Sequence, residues 1–334
     1  MSARRVTLPK SFTTTSPLHQ IILTMKLIFL VVLSFVANLP LCANLLLPFE
    51  IGFNPDEIKF YLVQSTSFKQ EIKYADESSV RNSFIKPGGL TVFILHGFIG
   101  PTNYIFSERL IIPITNSSVV DNFIIVDWSW LSGKFLFPLD VPIEYVLAIK
   151  NLNTVGKQVA NFIAWLVYNN YLDLDRIHVV GHSLGAHLAG RVGGEIQAIM
   201  GGRKLPRITG LDPAGPLFNI LPELKIDQTD ASFVDIYHSN AGIGVNGGRE
   251  QPGCNIITDF TMACSHLLSL FWFPATFHKA YVGCQCSSRE LDPTNFRTCM
   301  AQCPNPVFAG IYTPHTTRGE YQVDFPVKSG WETV

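Results

Sequence analysis

The sequence predicts an α/β fold, a mostly parallel central sheet with helices on both faces. The first observation behind this is that short aliphatic or aromatic runs alternate with longer stretches of helical spacing, the pattern of parallel strands joined by crossover helices. The second is composition: 47% of the 334 residues are hydrophobic and only 15% charged, which suits a large core under a sparsely charged surface. The third is uniformity. No internal repeat, low-complexity linker or second composition regime divides the chain.

The expected strands, in order, are 59–64, 90–95, 123–128, 177–180, 207–211 and 233–238, each a short apolar run bounded by polar or turn residues. A long helix is expected over about 144–169, where Val155, Val159, Phe162, Ile163 and Leu166 recur at helical spacing, and a second helix follows Ser183. Near the end, 311–315 and 321–325 flank Arg318-Gly319-Glu320 and read as closing edge strands. These elements are read as one domain over 44–334.

The start of the chain reads differently. Met25-Lys26 precedes the apolar run 27–37, and a small residue, Ala43, closes the segment. One positive charge, about ten apolar residues and a small residue form the pattern of a secretory signal peptide. The run is about half of the ~20 residues that a membrane span needs. Residues 1–43 are therefore expected to be an N-terminal extension and signal peptide, with Met25 a possible true start, and the mature chain to be secreted. Its loss removes Arg4, Arg5, Lys10 and Lys26 but no acid, leaving 21 basic against 26 acidic residues, with nothing to suggest nucleic-acid binding. It also removes Cys42, leaving Cys254, Cys264, Cys284, Cys286, Cys299 and Cys303, an even set that reads as three disulfides in a secreted chain. The only close pair is Cys284-x-Cys286 and no C-x-x-C repeat occurs, which argues against zinc. Asn116-Ser117-Ser118 is the one glycosylation sequon.

Chemistry enters at Gly181-His182-Ser183-Leu184-Gly185, a G-x-S-x-G between an apolar strand and the small-residue start of a helix. A serine hydroxyl is a poor nucleophile at neutral pH. Ester cleavage needs it on a sharp strand-to-helix turn, beside a base and facing backbone donors. The candidate nucleophile is Ser183. A parallel sheet presents its functional groups at the carboxyl ends of its strands, and Asp212 stands immediately after the 207–211 strand, before Pro213. An Asp-Pro can equally be a turn cap, but the chain order of serine, acid and histidine favours Asp212 as the acid. Nine histidines compete for the role of base. His19 falls in the segment expected to be removed, His178 alternates into a strand, His182 and His187 flank the elbow as packing or hydrogen-bonding residues, and His238 ends a strand as a supporting group. His266 lies downstream of Asp212, beside Cys264 and at the start of an apolar helix, and is the candidate base. The oxyanion of a tetrahedral intermediate needs two N–H donors, expected from Leu184, which follows the nucleophile, and Phe98, which ends the strand running into His96-Gly97. No cofactor is required.

Taken together, Ile94-Leu95-His96-Gly97-Phe98, Ile125-Val126-Asp127-Trp128, the elbow, Thr209-Gly210-Leu211-Asp212-Pro213-Ala214-Gly215-Pro216, and Pro252-Gly253-Cys254 through Cys264-Ser265-His266 resemble the pancreatic lipase family of α/β-hydrolases. The motifs run in order over roughly residues 50–325. The resemblance implies an α/β-hydrolase fold, Ser183 as nucleophile, Asp212 as acid, His266 as base and a disulfide between Cys254 and Cys264, the pair that bounds the lid loop. Nine residues separate these cysteines, far fewer than in lidded triacylglycerol lipases and similar to the phospholipase A1 and insect members. That implies sn-1 acyl ester hydrolysis of phospholipids, with triacylglycerol as the alternative substrate and a non-catalytic lipid carrier as a more distant reading. The segment 239–246 is shorter than the family pattern. The β-sandwich that follows in pancreatic lipase has no counterpart, so contact with a lipid interface is expected to fall on the catalytic domain. Two aromatic clusters are candidates, 128–138 and 267–274, the second expected to be core.

Overall fold

The computed structural model describes residues 57–98, 108–133, 141–239, 263–285 and 293–323. Ten strands and six α-helices are defined there: β1 Lys59–Val63, β2 Lys69–Ile72, α1 Glu77–Arg81, β3 Thr91–Leu95, α2 Glu108–Thr115, β4 Asn122–Asp127, α3 Val141–Tyr168, β5 Ile177–His182, α4 Leu184–Ile199, β6 Arg207–Leu211, β7 Phe233–Tyr237, α5 Ala263–Ala275, β8 Tyr281–Cys284, α6 Pro293–Gln302, β9 Val307–Ala309 and β10 Gln322–Val323. Seven strands form one sheet in the order β2-β1-β4-β3-β5-β6-β7. β4, β3, β5, β6 and β7 are mutually parallel, while β1 runs antiparallel to both β2 and β4.

Every residue of β3, β5 and β6 is buried, as central parallel strands covered on both faces must be. Alternate residues feed opposite cores. Phe93, Leu95, Val126, Val179 and Ile208 pack with α3 and α4, through Leu152, Val155, Val159, Phe162, Leu188 and Val192. Val92, Ile94, Phe123, Val180 and Leu211 pack with α2 and α5, through Leu110, Ile114, Leu270 and Phe273. The period of two along each strand thus builds two cores and puts helices on both faces, as the alternation of runs predicts.

Register decides where chemistry can occur. Leu95 pairs with Gly181, His182 with Leu211, and Leu211 with Tyr237. The residues that leave the sheet after these pairs are His96, Ser183, Asp212 and His238, so four chain reversals are gathered along one edge at the carboxyl ends of the strands.

All six expected strands of the main sheet are present, and the long helix begins three residues earlier than its spacing suggests. β2 escapes sequence reading because its residues, Lys69-Gln70-Glu71-Ile72, carry one apolar side chain on a sheet edge. Of the two expected closing edge strands, 311–315 is corrected, while 321–325 contains an edge strand at Gln322–Val323. Gly310–Tyr312 is a 3-10 turn, and Gln322–Val323 pairs antiparallel with β8 in a separate three-stranded sheet, β10-β8-β9. The cause is Arg207, buried on β6, which donates to the carbonyls of Gly310 (2.7 Å) and Ile311 (2.9 Å) and holds that segment against the main sheet instead. The disulfide Cys284–Cys303 ties the end of β8 to the residue that follows α6, and Cys299 is disulfide-bonded as well. Asn116 is exposed just after α2, as a sequon requires.

Candidate active site

Strand β5 delivers Ser183 at φ 57°, ψ −121°, a backbone conformation that non-glycine residues rarely adopt. Such a residue costs of order 1–3 kcal/mol and persists only where its surroundings determine it. Here they do. The Ser183 N–H donates to the Leu211 carbonyl at 2.9 Å, and the Ser183 carbonyl accepts from Ala186 (3.1 Å) and Ala214 (3.2 Å). The flanking glycines are required by contact: a Cβ on Gly181 would stand 2.0 Å from the Gly185 carbonyl oxygen, and one on Gly185 would stand 2.3 Å from that of Leu95. A Cβ on Gly97 would lie 2.7 Å from Ser183 Cβ, so the turn after β3 is packed directly on the serine.

Asp212 leaves β6 at φ 43°, its N–H bonded to the Tyr237 carbonyl at 2.8 Å. The residue is 3% exposed, and both oxygens of its carboxylate are engaged. Oδ1 accepts the Ser239 N–H at 3.0 Å, and Oδ2 accepts Nδ1–H of His266 at 2.5 Å. A charge-assisted bond this short is among the strong ones, and it fixes the tautomer of His266 with Nε2 as the basic nitrogen. His266 itself sits in the first turn of α5 with its ring partly exposed. His238 also approaches the acid, but its Nδ1 stands 4.0 Å from Oδ1 and its ring is largely in solvent.

The two expected oxyanion donors stand just beyond the carboxyl ends of β5 and β3. Leu184 is the first residue of α4 and Phe98 lies in the turn after β3; among the described residues neither N–H has a hydrogen-bond partner. The Phe98 ring is held edge-on against Tyr145, whose hydroxyl donates to the Pro216 carbonyl at 3.1 Å.

Three histidines around the elbow have roles that residue type alone does not reveal. His182 is buried, its Nε2 donating to the backbone carbonyl of His266 at 3.1 Å with the two rings 4.5 Å apart; burial first, and the neighbouring His266 second, push it well below the usual range and keep it neutral. The residue before the candidate nucleophile thus anchors the backbone of the candidate base. His187 bridges Ala214 and Ile226, donating from Nε2 to the former carbonyl (2.8 Å) and accepting on Nδ1 from the latter N–H (3.1 Å), and burial lowers it to about 4. His96, buried, faces Gly97 and Trp128. Only the spacing of these residues around G-x-S-x-G and His-Gly-Phe hints at their involvement.

The expected pair Cys254 and Cys264 lies outside the described residues, Cys254 entirely and Cys264 in its side chain, as does the shortened segment 239–246 apart from Ser239. Of the first aromatic cluster, Trp128 is fully buried and Trp130 is 62% exposed, while 134–138 lie outside the described residues. The second is core: Leu268, Leu270, Phe271, Trp272 and Phe273 are all buried. Among the described residues, no group of three or more His, Cys, Asp or Glu could hold a metal ion.

Residues 51–304 match the family model described as Lipase. A pancreatic triacylglycerol lipase from Oryctolagus cuniculus is 33% identical over 271 residues, which cover 70% of this chain and 55% of the relative. One from Sus scrofa is 30% identical over 300 residues, covering 79% and 63%. A phospholipase A1 from Polybia paulista is 34% identical over 236 residues, covering 65% and 70%. The chain spans little more than half the length of the triacylglycerol lipases that it matches first.

Proposed function

The chain belongs to the Lipase family, and from that premise we propose that it is a secreted serine hydrolase of lipid carboxylic esters, a phospholipase A1 that cleaves the sn-1 acyl bond. The observation that carries the reading is the 2.5 Å bond between Asp212 and His266, with Ser183 held on a strained strand-to-helix turn at the end of β5, the strand next to the one that delivers Asp212. In this mechanism His266 Nε2 takes the proton of Ser183 Oγ as that oxygen attacks the ester carbonyl. Asp212 stabilises the resulting imidazolium through Nδ1. The N–H groups of Phe98 and Leu184 hold the oxyanion. Collapse of the intermediate breaks the ester bond, and His266 gives its proton to the leaving alkoxide, leaving an acyl-serine. Water, deprotonated by the same histidine, then releases the fatty acid and restores Ser183.

Support for phospholipid over triacylglycerol is the nine-residue span between Cys254 and Cys264, together with the phospholipase A1 relative. The triacylglycerol lipase relatives at 30–33% identity favour the second reading, hydrolysis of neutral glycerides. Secretion with cleavage near Ala43 is supported by the apolar run 27–37 and by the Cys284–Cys303 disulfide, which suits an oxidising compartment. No helix among the described residues is long and apolar enough to cross a membrane.

The test is ester hydrolysis by the secreted wild type and by Ser183→Ala, on phosphatidylcholine vesicles and on a triacylglycerol emulsion. Release of sn-1 fatty acid from vesicles, abolished in Ser183→Ala, is the expected result. Activity confined to the emulsion would make the protein a triacylglycerol lipase, and a folded wild type inert on both would leave only lipid carriage.

A further inference from the structure

We propose that His96 is a positioning residue for the oxyanion site, an imidazole that sets the direction of the Phe98 N–H by holding the carbonyl on the other side of the same peptide bond. The inference rests on the acyl-transfer reading above, but its geometry stands apart from it. His96 is fully buried at the end of β3. Its Nδ1 lies 2.9 Å from the Gly97 carbonyl oxygen, and its Nε2 receives the backbone N–H of Trp128 at 3.1 Å. A nitrogen that accepts an N–H cannot carry a proton of its own in that direction, so the ring proton sits on Nδ1 and is donated to Gly97. Asp127 does not reverse this. Its Oδ1 is 3.8 Å from Nε2, beyond hydrogen-bond reach, and is already taken by the N–H and hydroxyl of Ser129. The Trp128 indole closes the arrangement by donating to the His96 carbonyl at 3.0 Å, with its ring stacked on the imidazole.

The consequence follows from the planarity of the peptide unit. In a trans peptide the carbonyl of one residue and the N–H of the next point in opposite directions. The structure has no cis peptide among its described residues. Pinning the Gly97 carbonyl to the buried ring therefore turns the Phe98 N–H away from the ring. Gly97 is the residue packed on Ser183, so the peptide whose orientation the ring fixes is one that borders the serine. Glycine at 97 would otherwise leave this peptide free to rotate, and the imidazole removes that freedom before any substrate arrives. A donor aimed in advance is what makes an oxyanion site effective, because nothing has to reorganise during reaction.

Two substitutions separate the nitrogens. In His96→Asn the side-chain amide reaches the position of Nδ1 and can still donate to Gly97; in His96→Gln it reaches the position of Nε2, keeps Trp128 and loses Gly97. On phosphatidylcholine vesicles, with Ser183→Ala as blank, His96→Asn is expected to keep kcat within about tenfold of wild type. His96→Gln is expected to lose about 100-fold or more in kcat, the scale of one lost oxyanion donor, with KM nearly unchanged. A purely structural role would instead lower folded yield and leave the kcat of the folded fraction alike in both. Nitrogen NMR of the histidine-labelled wild type supplies the readout that needs no activity: His96 is expected to be protonated at Nδ1 and not at Nε2. A proton on Nε2, or His96→Gln as active as His96→Asn, would overturn the inference. If the wild type proves inert on lipid, the ester-hydrolysis reading fails, and the NMR result alone decides the His96 geometry.

Discussion

Ser183 and Asp212 are two residues that the fold holds against their own backbone preference, at φ 57° and φ 43°. Both head turns at the carboxyl edge of the sheet. Strain of about 1–3 kcal/mol per residue survives there because the surrounding hydrogen bonds leave no relaxed alternative. Removing the Ser183 Cβ relieves this strain: Ser183→Gly is expected to raise the unfolding free energy by about 1 kcal/mol over Ser183→Ala, while both lack activity. Urea titration of the two variants checks this, and equal midpoints would remove the argument for a strained nucleophile. At this scale the sequence reveals residue types and their order. G-x-S-x-G, the Asp-Pro after a strand and the later histidine are visible because chain order and turn chemistry are written in one dimension. The work assigned to His96 and His182 is not, because it depends on which ring nitrogen meets which backbone carbonyl.

Among the elements, α4 matters most, since Ser183 caps it and its packing sets where the serine stands. Two adjacent glycines on this helix should respond oppositely to the same change. A Cβ on Gly193 would stand 2.2 Å from the Asp230 carbonyl oxygen and 2.7 Å from Ile208 Cδ1, whereas one on Gly194 meets nothing within 4 Å. Gly193→Ala must therefore push α4 off the sheet and is expected to destabilise by about 1–3 kcal/mol. Gly194→Ala gains helix propensity and is expected to stabilise by up to about 1 kcal/mol. Chemical denaturation of both variants is the check, and the same sign of change in the two would contradict the packing described. Six strands of the main sheet and both long helices were legible because central parallel strands and buried helix faces carry dense, periodic apolar runs. The path of 311–315 was not. The segment is short, and a buried arginine far away in sequence, Arg207, holds it by capturing the Gly310 and Ile311 carbonyls.

For the whole molecule, the buried histidines set a pH dependence. Burial holds His178 and His182 well below their usual range and His187 at about 4. A histidine kept neutral in the folded state but free to charge near 6.5 in the unfolded chain favours folding above that pH, and its contribution is lost as the pH falls toward the folded value. Asp230 acts in the opposite sense, since burial raises it to about 6 and its cost is relieved on acidification through that value. With three histidines against one aspartate, stability is expected to fall from pH 7 to pH 5, at about 1 kcal/mol per pH unit for each uncompensated histidine. Urea midpoints at the two pH values measure this, and His187→Gln should shallow the slope; a flat or rising profile toward pH 5 would contradict it. In the proposed mechanism Ser183 is the nucleophile, activated by His266 and Asp212. The most direct measurement is covalent labelling with a lipid-like alkylphosphonate ester, read by peptide mass spectrometry on wild type and His266→Ala. A single adduct on Ser183 is expected, at least about 1,000-fold slower to form in His266→Ala; an unlabelled Ser183 in folded wild type, or equal labelling of both proteins, would contradict the mechanism.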